Sequence, residues 1–156
     1  MAKEIERKFL VDMNCWHPSD SGSRFLQGYL PMSEKTKVVV RVRISGNRSW
    51  LTIKGENRGM MRPEFEYPIP LADAVELLDG LCVRPFIEKI RYSMEFAGMD
   101  WVVDVFEGDN AGLVVAEIEL ASEDQKILLP PWVGKEVTDD PRYYNSNLMV
   151  HPFCRW

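Results

Sequence analysis

Histidine and cysteine are scarce in this chain: two and three, respectively, in 156 residues. His17 and His151 are each followed by proline, and Cys15, Cys82 and Cys154 are scattered without paired spacing. This argues against a zinc centre and against a disulfide framework, and the cysteines read as reduced thiols. No apolar run approaches membrane-spanning length, and the N-terminal residues carry no apolar signal core, so a cytoplasmic protein is expected. Net positive charge is also lacking. Nineteen Lys and Arg against 24 Asp and Glu give −5, which speaks against a broad nucleic-acid surface. No repeat, low-complexity tract or linker divides the chain, so a single domain over residues 1–156 is expected.

What is present is ordinary in amount and unusual in order. Hydrophobic content is 46% and charged content 28%, enough for one folded domain with a sizeable core. The opening stretch Met1–Phe9 reads as a strand whose alternation puts Glu4, Glu6 and Lys8 on one face and Ile5, Arg7 and Phe9 on the other. The same pattern returns along the chain. Strands are expected at Phe25–Leu30, Lys37–Ile44, Ser49–Lys54, Arg62–Tyr67, Ile87–Tyr92, Trp101–Phe106 and Leu113–Leu120. The second and third of these form a hairpin across Ser45-Gly46-Asn47. Helices are expected over Leu71–Leu78, from Ser122 (with Gln125 three residues on, a capping-box signal) to before Pro130-Pro131, and from Asp140-Pro141 to about Met149.

On these strands like charges pair with like at a spacing of two: Glu4/Glu6, Arg41/Arg43, Glu64/Glu66, Lys89/Arg91 and Glu117/Glu119. Lys8, Lys54, Arg62 and Asp104 join the same faces, and the opposite faces are apolar. A plain sandwich would turn the charges to water. A closed barrel would turn them inward and cover its apolar outside with helices. Sorting by sign favours the barrel, because adjacent like charges repel unless opposite charge lies between them. The bases Lys8, Arg41, Arg43, Lys54, Arg62, Lys89 and Arg91 suit a polyanion carrying several phosphates. The acids Glu4, Glu6, Glu64, Glu66, Asp104, Glu117 and Glu119 would repel that anion and call for a hard divalent cation, Mg²⁺ or Mn²⁺.

Glu4-Ile5-Glu6-Arg7-Lys8 resembles the ExExK signature of the CYTH superfamily, the triphosphate tunnel metalloenzymes. The resemblance continues in order through Gln27-Gly28-Tyr29-Leu30, Arg41-Val42-Arg43, Leu51-Thr52-Ile53-Lys54, Arg62-Pro63-Glu64-Phe65-Glu66, Glu88-Lys89-Ile90-Arg91-Tyr92, Asp104-Val105-Phe106 and Glu117-Ile118-Glu119. Residues 130–140 look like those of the short, single-domain bacterial members.

The resemblance implies a mainly β (α+β) fold: a closed eight-stranded antiparallel barrel, a tunnel with charged interior and flanking helices. It implies phosphate-gripping roles for Lys8, Arg41, Arg43, Lys54, Lys89 and Arg91, to which the charge pattern adds Arg62. Glu4, Glu6, Asp104, Glu117 and Glu119 would bind one or two divalent metals, with Glu64 and Glu66 nearby. Lys54 and Lys89 match a lysine pair proposed as base in similar enzymes, each lowering the pKa of the other; Tyr29 is a further catalytic candidate. The expected reaction is metal-dependent hydrolysis of inorganic triphosphate. Thiamine triphosphatase, nucleoside triphosphatase, class IV-type adenylate cyclase and a non-catalytic polyphosphate-binding module are the alternatives. Trp50 shares a face with Lys54 and either stacks on an organic leaving group or serves a plain role, plugging a tunnel end or packing. The expected partner is a small-molecule triphosphate, with no membrane; a homodimer is left open.

Overall fold

A computed structural model describes residues 3–156; Met1 and Ala2, included in the first expected strand, lie outside the described residues. Nine strands and two helices follow one another as β1 (Lys3–Val11), β2 (Ser23–Tyr29), β3 (Val39–Ser45), β4 (Arg48–Lys54), β5 (Met61–Pro68), α1 (Leu71–Gly80), β6 (Val83–Phe96), β7 (Met99–Phe106), β8 (Val114–Glu119), β9 (Val133–Glu136) and α2 (Asn145–Val150). The sheet runs β5-β4-β3-β2-β6-β7-β8-β1, and β1 pairs back to β5, which closes eight antiparallel strands into a barrel. The closing register is Lys3↔Pro63, Glu4↔Arg62 and Ile5↔Met61.

The ninth strand is attached outside this ring. β1 gives its first residues to β5 and its last to β9, with Phe9↔Glu136 and Val11↔Val133. Between the two pairings the free backbone groups still find partners. Glu6 N–H donates to Met60 O at 3.1 Å, Lys8 N–H to Thr138 Oγ1 at 3.0 Å, and Val137 N–H to Lys8 O at 2.8 Å. β9 was not an expected strand; its sequence, Val-Gly-Lys-Glu, is too short and too polar to show a period of two.

Alternation sorts the chain into an inside and an outside. On the outer face of β1, β7 and β8, Phe9, Trp101, Val103, Ala116 and Ile118 form one cluster. Trp101 lies 5.7 Å from Phe9 and 5.7 Å from Trp132, ring centre to ring centre. The cover there is loop, not the helix expected from Ser122. Residues 122–125 make a single turn, with Gln125 N–H donating to Ser122 O, and Gln125 Oε1 accepts from Ala121 N–H. Pro130-Pro131 forbids helix at Leu129, since a residue before proline is driven out of helical geometry, and residues 126–128 do not continue the turn. Trp16 and Trp132 from the flanking loops fill the gap.

α1 does form and packs on the outer face of β2–β4, where Ala74 and Leu78 meet Val42, Leu26, Ile44 and Leu51. Its close approach depends on Gly28. A Cβ there would stand 2.7 Å from Leu78 Cδ2 and 3.1 Å from Phe86 Cδ1. The helical cover stops short of β5, whose outward Phe65 and Tyr67 remain 38% and 53% exposed.

The third cluster lies inside the barrel. Tyr29, Ile87, Phe106 and Val115 carry the inward parity of the charged residues, and Leu148 and Met149 of α2 pack on them. The last expected helix is therefore shorter than 140–149. Pro141–Tyr143 is a 3-10 turn capped by Asp140, Tyr144 is extended, and α2 starts at Asn145. α2 closes one end of the tunnel with an apolar layer. No helix among the described residues is long and apolar enough to cross a membrane.

Candidate active site

The charged faces meet around a cavity of about 340 Å³. Every residue singled out above for substrate or metal lines it, except Asp104. Asp104 is fully buried behind the wall, with Oδ2 2.6 Å from Lys89 Nζ and Oδ1 2.7 Å from Arg91 Nε. Both its oxygens are taken, so it holds two cavity-lining bases in place. Burial acts to raise its pKa, but Arg91 and Lys89 outweigh burial and keep it below the ordinary carboxylate range.

Three ion-pair groups organise the wall. In the first, Glu117 accepts from Arg91 at 3.2 Å and from Lys8 at 3.1 Å. Against burial, Lys8 and Arg91 hold the Glu117 carboxyl well below its usual value. Lys8 is correspondingly raised: burial works against its charge, but Glu117 and Glu6 prevail. In the second, Glu66 Oε2 accepts from Thr52 at 2.8 Å and from Arg41 and Arg43 at 3.3 Å each. In the third, Lys54 is gripped by Glu4 at 2.8 Å and Glu64 at 2.7 Å. The Glu4 carboxyl is raised, chiefly by burial, with Lys54 pulling the other way. Arg62 donates to Gly55 O at 3.0 Å.

The pairing is incomplete, and the remainder is informative. The buried Nε–H groups of Arg41, Arg43 and Arg62 have no acceptor. A buried donor left unpaired costs about 1–3 kcal/mol, more when charged; these Nε–H groups are closed to solvent, while the three side chains themselves line the cavity. Lys89 is depressed to about 8, first by burial, with Asp104 pulling upward and Arg91 pulling further down. Lys54 is not among the causes, so mutual depression of the two lysines does not account for the shift. Lys54 is instead paired with two carboxylates.

Glu6 is the acid least provided for. Its carboxyl is pushed up to about 8, first by burial and then by Glu117, while Lys8 Nζ stands 3.7 Å away. Glu119 faces it across the β1–β8 register and is exposed at the rim. Among the described residues, no three His, Cys, Asp or Glu side chains converge as a ready-made metal cage. Mg²⁺ seldom uses one; it takes one or two carboxylates and completes its shell with water and phosphate oxygens. Glu6 and Glu119 fit that mode, as hard oxygen donors short of positive charge.

The cavity also has lining residues that the charge pattern did not single out: Thr138, Tyr144, Asn145 and Ser146 from the C-terminal segment, and Asn57 and Asp100 from loop and rim. Gln27 is buried beside them and donates to Tyr29 Oη at 2.9 Å. Its inward parity with Tyr29 was the available signal; for residues 138–146 no periodicity existed. Trp50 does not line the cavity. It stacks on Phe25 at 6.4 Å and 29°, with Arg43 5.2 Å and Arg48 5.0 Å from its ring centre.

Comparison with known proteins adds a family. The CYTH domain model matches residues 2–144. An inorganic triphosphatase of Acetivibrio thermocellus is 47% identical over 153 residues, spanning 98% of this chain and 97% of its own. An inorganic triphosphatase of Nitrosomonas europaea is 37% identical over 152 residues, spanning 94% and 97%. A crystal structure of an inorganic triphosphatase superposes with a TM-score of 0.66 at 34% identity, covering 96% of each chain.

Proposed function

Because the chain belongs to the CYTH domain family, we propose that it hydrolyses inorganic triphosphate to diphosphate and phosphate inside the barrel, with Mg²⁺ or Mn²⁺ as cofactor. The observation that carries this reading is the convergence of Lys8, Arg41, Arg43, Arg62, Lys89 and Arg91 on one cavity of about 340 Å³. The two relatives named as inorganic triphosphatases support the choice of reaction.

Lys8, Arg41, Arg43, Arg62 and Arg91 hold the phosphate oxygens, and their fixed charges offset charge developing as the terminal phosphoryl group transfers. Lys54, pinned by Glu4 and Glu64, adds a cation on the same wall. Lys89 is the base: with a pKa near 8 a fraction is neutral at pH 7. It takes a proton from water as the water oxygen bonds to the terminal phosphorus and the bond to the bridging oxygen breaks. The Tyr29 hydroxyl accepts from Gln27 and keeps its own proton for a phosphate oxygen. A divalent cation, when bound, offsets phosphate charge and acidifies water; Glu6 and Glu119 would hold it, with Glu4 and Glu117 adjoining.

Trp50 supports the inorganic substrate over an organic triphosphate. Its ring packs with Phe25, Arg43 and Arg48 and does not line the cavity, so it is not placed to stack on a base or thiazole there. The test is phosphate release from inorganic triphosphate, ATP and thiamine triphosphate with each metal. Fast, metal-dependent release from inorganic triphosphate is expected. Turnover confined to an organic triphosphate would overturn the substrate, and binding without turnover would overturn the reaction.

A further inference from the structure

α2 begins with Asn145, which occupies the first helical position, one residue past the N-cap. Here the N-cap is Tyr144, and no side-chain cap is made. Asn145 instead reaches into the barrel. Its Oδ1 accepts from Lys89 Nζ at 3.1 Å and from Gln27 Nε2 at 3.2 Å. Gln27 Nε2 donates again, to Tyr29 Oη at 2.9 Å.

The orientation of each amide follows from this. A carbonyl oxygen has two lone pairs, and both of Asn145's are used. Flipping Asn145 would set a donor against the Lys89 nitrogen. Both N–H groups of Gln27 are committed as well, and its Oε1 is buried without a partner. The fold leaves that acceptor unpaired while holding Gln27 Nε2 toward Asn145 and Tyr29. At the other side of Lys89, Asp104 Oδ2 accepts at 2.6 Å. Two of the three bonding directions of Nζ are therefore fixed by Asp104 and Asn145. The third is left for the cavity that Lys89 lines.

We infer that Asn145 is a positioning residue for Lys89: it aims the remaining direction of the lysine nitrogen at the attacking water, and it makes the C-terminal helix part of the hydrolytic machinery. This rests on the proposed triphosphatase reading and adds a residue to it. Asn145 acts through Lys89, with both lone pairs of its Oδ1 taken by Lys89 and Gln27, so its loss belongs in kcat and not in KM.

The experiment compares wild type with Asn145→Leu, which keeps the volume and removes the acceptor, and Asn145→Asp, which keeps an acceptor oxygen. Steady-state hydrolysis of inorganic triphosphate is measured beside the ¹H–¹⁵N NMR signal of the Lys89 side chain. Asn145→Leu is expected to lower kcat at least tenfold with KM within twofold, and to broaden or shift the Lys89 signal; Asn145→Asp is expected to recover part of kcat. Leu148→Ala loosens the seat of α2 without touching the acceptor and serves as the control for a purely anchoring role. The inference is overturned if Asn145→Leu keeps wild-type kcat, if its effect lies in KM, or if Leu148→Ala reproduces the kcat loss and the altered Lys89 signal. A wild-type protein inert toward triphosphate would instead overturn the reaction, while the NMR comparison still decides whether Asn145 holds Lys89.

Discussion

Lys89 and Asp104 form an ion pair of 2.6 Å in which the lysine side chain is 1% exposed and the aspartate 0%. The Asp104 charge has no water to fall back on, and Asp104 also anchors Arg91. Removing one member of such a pair typically costs about 3–5 kcal/mol, because the other is stranded. Asp104→Ala should lose stability in that range by urea denaturation and lose hydrolysis with it. Undiminished turnover in a stably folded Asp104→Ala would show that Lys89 and Arg91 need no anchor.

Glu6 gives the protein a pH dependence of known sign. Its folded pKa of about 8 lies above the ordinary carboxyl value of 4.5. Between those values the folded state binds more protons than the unfolded chain, so stability falls as pH rises through this window. Glu6→Gln should flatten that fall, measured as unfolding free energy at pH 5 and pH 8 without divalent metal. An equal slope in variant and wild type would remove Glu6 as its source.

The basic lining of the cavity predicts ligand-linked stabilisation. At a hundred times its dissociation constant, triphosphate with Mg²⁺ should add about 2.7 kcal/mol to the folded state. Arg41→Ala should weaken binding by about tenfold or more, since a charge-assisted bond is worth about 1.5–3 kcal/mol. Denaturation with and without ligand reads the first number and calorimetric titration the second; a wild-type affinity for Arg41→Ala would mean that Arg41 does not hold the substrate.

Gly28→Ala tests the seat of α1. The added methyl meets Leu78 Cδ2 at 2.7 Å, so the helix must shift or Leu78 must change rotamer. Overpacking of this kind costs about 1–3 kcal/mol. The effect should appear in thermal midpoint while the KM for triphosphate stays near wild type, because α1 covers the outside of β2–β4 and lies away from the tunnel.

The barrel strands were legible because each charged residue on the wall has its parity enforced by an apolar face opposite. A slip by one residue at Arg41-Val42-Arg43 would bury two guanidiniums under α1 and expose Val42 to the tunnel. That two-sided penalty is why β1 to β8 could be read from alternation. β9 and α2 carry no such constraint. Thr138 reaches the site through one hydroxyl on the Lys8 backbone, and Asn145 through one carbonyl on Lys89. Single polar residues in an aperiodic segment leave no trace in a pattern. The apolar plug was hidden for a related reason: Leu148 and Met149 look like any short buried helix face until Ile87, Phe106 and Val115 are seen to point inward.

β1 is bonded to β8, to β5 and to β9, whose partners run from Met61 to Glu136. β1, earliest of the described strands in the sequence, is therefore fully paired only once β9 is present. During synthesis, Glu4, Glu6 and Lys8 must wait for β5, then for residues 114–119, and finally for residues 133–136 before their strand is enclosed. Contacts so distant along the chain slow the search for the native state. The tunnel has no partial version that hairpins could assemble one at a time. It exists once the two ends of the sequence have met, and a nascent chain stalled before residue 114 holds its acidic and basic strands side by side with no lumen to share.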